Sequence, residues 1–196
     1  MDIVVKGNSK MGKDVFIFNL PAKKTCTPTD WCLHGSNGKP RCYALRNNYT
    51  FGNVQKSLEE RYELSKQEDF PEKVIEFLHK KKAKYFRIHS SGDFYSEEYV
   101  SKWIEIAKNC PDTKFRSTTH RKDLASKIEE LNSLPNVIIR ESLETSSPNP
   151  SMNLPFAALS SLDVVKNNES YHCPNMCEPC GYTCWEKPVN MDFDEH

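Results

Sequence analysis

The 196-residue chain has 27 basic and 27 acidic side chains, with 37% hydrophobic and 28% charged residues. That length allows one domain with its own core, and a net charge of zero lacks the basic excess on which non-specific nucleic-acid binding rests. No apolar run approaches the roughly 18 residues of a membrane helix, and the N-terminus shows no secretory segment, so a cytoplasmic protein without membrane contact is expected.

Residues 1–13 carry Gly7 and Gly12 and read as a short strand and a turn. The run 15–20 is apolar and β-prone, stops at Pro21, and reads as a strand. Residues 21–44 hold three prolines and two glycines and form a long loop, a feature that usually carries function. Helices are expected over 54–67 and from Pro71, which suits a first helical turn. Lys80, Lys81, Lys82 and Lys84 read as the solvated end of the second helix, where cations favour the dipole. A strand at 85–89 ends in Ser90, Ser91, Gly92 and Asp93. Ser96 caps a helix running to Asn109. Then come a strand at 114–119, a helix at 121–132, strands at 136–141 and 156–160, and a short helix at 162–167.

Strands alternating with helices imply parallel βαβ units with right-handed crossovers. About five to six strands are too few for an eight-unit barrel. The expected fold is α/β, a partial, open parallel β/α barrel with a cysteine-rich metal-binding tail. The expected divisions are 1–168 for the barrel with its cysteine loop at 21–44, 169–188 for the metal-binding segment, and 189–196 for a mobile acidic tail.

Eight cysteines without a secretory signal point to metal rather than disulfides. Cys173, Cys177, Cys180 and Cys184 lie within twelve residues, with Pro174, Pro179 and Gly181 to make the turns. Four thiolates enclose a tetrahedral zinc or hold a [4Fe–4S] cube, and the single tight run is closer to cluster-binding runs than to paired zinc knuckles. His172 reads as a group beside the ligands or a bystander, with an extra ligand as the alternative. Cys26, Cys32 and Cys42 form a second set. Three thiolates hold a cubane and leave one iron open; zinc with His34 as fourth ligand is the rival. Cys110, at a helix end, is read as structural.

The order strand, cysteine loop, helix, strand, small-small-acid, helix, strand resembles that of radical S-adenosylmethionine enzymes. Cys42 followed by Tyr43 looks like the end of their cysteine loop, and Ser91, Gly92 and Asp93 look like their cofactor-contacting Gly-Gly-Glu segment. The loop spacing is five then nine residues where that family has three then two, and Asp93 replaces its glutamate. The resemblance implies one or two [4Fe–4S] clusters, S-adenosylmethionine on the open iron, and redox or radical chemistry. A broader resemblance, over most of the chain, is to a phage family of unknown function, the gene product 88-like proteins. It rests on Asn19 to Ala22, on Cys26, Cys32 and Cys42 to Ala44, on Arg87 to Phe94 and on the terminal cysteine run, and it implies a host-cytoplasmic setting.

Strand periodicity puts Arg87 beside His89, and Arg116 beside Thr118 and His120, with Arg140 on a third strand. Three arginines near one layer need partners. Asp93, Glu141 and Glu144 are candidates, or an anionic cofactor or substrate is. His89, Asp93, His120 and Glu141 are the candidate proton-transfer residues. Ser91, Gly92, Asp93, Arg87, Arg116 and Arg140 are the candidate cofactor contacts. The substrate, a small molecule or a macromolecule, stays open. The alternative is a non-catalytic module stapled by zinc or a cluster that acts on a host protein or nucleic acid. A hydrolytic zinc site using His89 or His120 ranks last, because no helix has paired-histidine spacing.

Overall fold

The computed structural model describes residues 3–35 and 38–195. Its strands are β1 (Val5–Lys6), β2 (Val15–Ile17), β3 (Tyr85–Arg87), β4 (Lys114–Thr119), β5 (Val137–Leu143), β6 (Phe156–Leu159), β7 (Tyr171–His172) and β8 (Met191–Phe193). They form one open sheet in the order β1-β2-β3-β4-β5-β6-β8-β7. Strand β1 is antiparallel to β2 at one edge, and the other pairings are parallel.

The mixed α/β class is as expected, but the described residues form eight strands and their sheet does not close on itself. The additional strands are β7 and β8, from segments read as a metal-binding appendage and a mobile acidic tail. Met191–Phe193 instead lies between β6 and β7. Asp192 is buried and accepts hydrogen bonds from Ser160 Oγ (2.9 Å), Ser170 Oγ (2.8 Å) and His172 Nδ1 (2.6 Å). Satisfying the carboxylate locally is what allows an acidic segment to enter a sheet.

The helices are α1 (Asp30–His34), α2 (Gly52–Lys66), α3 (Phe70–Lys81), α4 (Glu97–Asn109), α5 (Ala125–Asn132), α6 (Asp163–Asn167) and α7 (Thr183–Glu186). Helix α4 begins where Ser96 Oγ accepts the Tyr99 N–H at 3.2 Å, with Glu97 and Glu98 in the dipole-favoured first turn. Pro71 lies in the first turn of α3, which stops at Lys82 in a left-handed conformation with Lys80, Lys81 and Lys82 exposed.

Alternation along the strands separates two buried faces. Phe86, Ile88, Phe115, Val137 and Ile139 join Phe70, Val74, Leu78, Tyr99 and Ile128 from α3, α4 and α5 in the main core. Trp103 is its centre, with the rings of Phe86, Phe70 and Phe18 at 5.6, 5.7 and 5.9 Å. Truncating so buried a tryptophan costs about 3–5 kcal/mol. On the other face, Val15, Ile17, Tyr85 and Met191 pack with Met11, Cys184 and Trp185. That face is therefore covered by the C-terminal cysteine segment.

Candidate functional site

The first cysteine set hangs from the carboxyl end of β2. Leu20 N–H donates to Ser91 O at 2.9 Å, Asn19 Oδ1 accepts the N–H groups of Ser90 (2.9 Å) and Ser91 (3.1 Å), and Ser91 Oγ donates to Leu20 O at 2.8 Å. Asp93 N–H donates to Thr25 Oγ1 at 3.3 Å. Gly92 allows this approach: its φ is +84°, and a Cβ there would stand 2.5 Å from Leu20 Cβ. The Ser91-Gly92-Asp93 turn thus fastens the cysteine loop to the sheet. Within the loop, Thr29 caps α1 by accepting the Cys32 N–H at 3.3 Å, and Cys42 N–H donates to Cys32 O at 3.3 Å. Tyr43 donates its hydroxyl proton to Ser90 O.

The three thiols come within range of one another's charge. Burial pushes Cys26 up to about 12, and Asp93, Cys42 and Cys32 act in the same direction against the Lys23 N–H. Burial also raises Cys42, which Cys32 raises further, while the N–H groups of Ala44 and Leu45 and the Arg46 charge lower it.

The C-terminal box is folded by left-handed residues at Asn175, Gly181 and Tyr182. Cys173 N–H donates to Asp192 O and Cys177 N–H to Lys10 O, both at 2.9 Å, which ties the box to both ends of the chain. Burial pushes Cys177 up to about 11; Arg116 opposes this, while Cys184, Cys180 and Cys173 add to it. Burial raises Cys173 too, against an N–H from Asn175. Tyr182 stacks on Tyr85 with centroids 4.2 Å apart. Arg140 reaches over α7, donating from Nε to Val189 O (2.9 Å), from Nη1 to Cys184 O (2.9 Å) and from Nη2 to Lys187 O (2.7 Å). The Arg116 guanidinium lies 4.6 Å from the Trp185 ring centroid.

The donor chemistry of both sets fits a thiophilic metal or an iron–sulfur cluster. Each set supplies three or four cysteine sulfurs, the donor type that zinc and iron–sulfur clusters take. The side-chain positions are looser than a closed site: among the described residues, no group of three or more Cys, His, Asp or Glu stands at metal-holding geometry.

A family model described as gene product 88 matches residues 3–185. The chain belongs to the gene product 88 family. No curated protein and no solved structure matches it.

In this gene product 88 chain the residues expected at the strand ends fall into different environments. His89 does not share a face with Arg87. Strand β3 ends at Arg87, and the His89 ring turns toward α4, where Nε2 meets Tyr99 Oη at 3.0 Å. Burial, then Arg87, pulls it down to about 3. Asp93 accepts N–H groups from Phe94 (2.7 Å) and His120 (2.9 Å), and burial pushes it up to about 6 against these bonds and one from Thr119. His120 is lowered by burial, with Glu144 and Glu141 opposing and Lys122 assisting.

Glu141, 0% exposed, accepts from Ser151 N–H (2.8 Å), Ser151 Oγ (2.8 Å) and Met152 N–H (2.9 Å). It anchors the 144–155 loop and is no partner for the arginines, because it follows Arg140 and faces the opposite side of β5. Glu144 bonds Ser146 N–H at 2.7 Å.

The arginine layer does form. Arg87 and Arg116 are register partners on β3 and β4, and Arg140 pairs with Thr118. Arg87 donates to His89 O at 2.7 Å and to Tyr43 Oη at 3.4 Å. His34 is exposed and 3.9 Å from Asp30. Cys110 is buried in the main core, 3.7 Å from His79 Nε2.

Sequence reasoning missed Asn19, Thr25 and Trp185. Asn19 carried a signal only through the family resemblance, and Trp185 only through its place directly after the last cysteine. It also missed a cleft of about 390 Å³ lined by Asn19, Asn48, Tyr49, Asn53, Ser57 and Arg61. The cleft adjoins the cysteine loop through Tyr49, whose ring packs 5.8 Å from that of Tyr43. Among the described residues, no helix is long and apolar enough to cross a membrane.

Proposed function

We propose that this chain is an iron–sulfur protein built on a partial β/α barrel. Cys26, Cys32 and Cys42 hold a [4Fe–4S] cluster with one iron free of protein ligands, and Cys173, Cys177, Cys180 and Cys184 hold a second, structural or auxiliary cluster. What supports the reading is the placement of the three-cysteine loop where β2 and β3 end, with Asp93, Cys42 and Cys32 all acting on the charge of Cys26. Three thiolates leave one cube corner for an exogenous ligand, and strand carboxyl ends are where α/β folds bind ligands. S-adenosylmethionine is the ligand the strand and loop order favours, and it would supply radical or redox chemistry while the protein positions the substrate. The cleft beside the loop is of a size that suits a small molecule.

The test is iron and sulfide analysis, with electron paramagnetic resonance, of protein purified anaerobically, followed by incubation with S-adenosylmethionine. Loss of one signal in Cys26→Ser and of another in Cys180→Ser, with reductive cleavage of the cofactor, is the expected result. Cluster without cleavage would refute the cofactor. A chain that binds no iron refutes the reading.

A zinc-stapled binding module, of a phage or mobile element acting on a host protein or nucleic acid, is the second reading. It draws on the C-terminal box, whose flanking segments β7 and β8 are both paired into the sheet, so that metal there would staple the fold. It predicts zinc at the box and no redox signal.

A further inference from the structure

We propose that Arg116 is the buried counter-charge of a dianionic four-thiolate metal centre at Cys173, Cys177, Cys180 and Cys184. The proposal rests on the metal reading above. Arg116 projects from β4 onto the sheet face that α7 covers and is 7% exposed. Its guanidinium lies on the Trp185 ring, itself 1% exposed, and its Nε is buried without a hydrogen-bond partner. Its register partner, Arg87, is a second cation. The groups acting most on its charge are Arg87, Cys184, Cys177 and Tyr43, none of them a carboxylate.

A guanidinium keeps its proton when buried, and a buried charge without an opposite one is strongly destabilising. Arg140, on the same face, escapes this by donating to three backbone carbonyls. Arg116 has no such set. Protonated thiols carry no compensating charge. Four thiolates around a zinc ion or an oxidised [4Fe–4S] core leave two negative charges, and Arg116 lies on the ring of Trp185, the residue next to Cys184. Arg116, Cys184 and Trp185 are buried, so at the Cys184 end the pairing acts in a weakly screened environment.

The experiment uses the full chain as wild type, Arg116→Met and Arg116→Lys, each with and without its metal. The metal that wild type holds in excess of Cys180→Ser defines the C-terminal site. Arg116→Met should weaken retention of that metal against a chelator about 10- to 100-fold, while Arg116→Lys stays within a few-fold of wild type. Metal-free Arg116→Met should unfold at the same temperature as metal-free wild type or higher, because an uncompensated charge has been removed. Equal retention in Arg116→Met overturns the proposal. So does equal destabilisation of the loaded and metal-free variant, or failure of Arg116→Met to fold with metal present, since either marks packing on Trp185 as the role of this side chain. A wild-type chain holding no metal beyond Cys180→Ser refutes the metal reading instead.

Discussion

Arg140→Met tests whether the C-terminal segment is clamped to the sheet by one side chain. The guanidinium makes three hydrogen bonds of 2.7–2.9 Å to Cys184, Lys187 and Val189 carbonyls, closing α7 and the turn before β8. Burial pulls its pKa down to about 10, which leaves it charged at neutral pH. A hydrogen bond to a charged group contributes about 1.5–3 kcal/mol net. Three would give roughly 4.5–9 kcal/mol, offset by several kcal/mol for desolvating the cation. Methionine keeps the apolar stem and volume but leaves three carbonyls without a donor, so the expected loss is about 3–5 kcal/mol. For a chain of this size that lowers the unfolding midpoint by about 10 °C.

Equilibrium urea unfolding measures the loss, and hydrogen exchange locates it in 184–193. Arg140→Lys should recover less than half, because one ammonium does not span three carbonyls along the chain. A loss under about 1 kcal/mol with the segment still protected would refute the clamp.

His89 makes stability acid-sensitive. Its folded pKa of about 3 lies below the ordinary 6.5, so the unfolded chain binds more protons between those values, and stability rises with pH across that window and is lost as pH falls below 6.5. Between about pH 6.5 and pH 5 the wild type should lose about 2 kcal/mol relative to His89→Gln, the opposing gain from Asp93, raised to about 6, being common to both; equal slopes would contradict the assignment. Gly92→Ala should cost at least about 2 kcal/mol, from the left-handed φ and from the contacts with Leu20 and Thr25. Chemical denaturation reads it, and a near-neutral result would show that the loop is not locked by this turn.

The helix-covered half of the fold was legible because its signals are local and repeated. Ser96, Pro71 and the apolar spacing of α4 announce helices, and the alternation through Phe115, Ser117 and Thr119 announces a strand. The same alternation put Arg87, Arg116 and Arg140 on one layer. It failed for His89, because parity holds only while the backbone stays extended and β3 ends two residues earlier. Strands β7 and β8, of two and three residues, are too short for any periodicity to register. Ser91-Gly92-Asp93 was recognisable as a special turn, but its polar atoms are spent on the adjacent Phe94 and on Leu20, Thr25 and His120, partners distant in sequence.

The placement of the two cysteine sets also explains how one sheet face accommodates Arg87 and Arg140. That face meets two kinds of acceptor. Backbone carbonyls from the C-terminal segment take Arg140, and the His89 carbonyl and Tyr43 hydroxyl take Arg87, so chain segments carrying or flanking both cysteine sets are hydrogen-bonded to the layer. The box is fixed at its other side by Lys10 O, and Cys173 and Cys177 pack against the buried cluster that holds Met11 and Val15. Disturbing the box therefore acts on the first strands as well as the last. The N-terminal edge and the C-terminal cysteine segment should lose hydrogen-exchange protection together, as one cooperative unit, while the core around Trp103 stays closed.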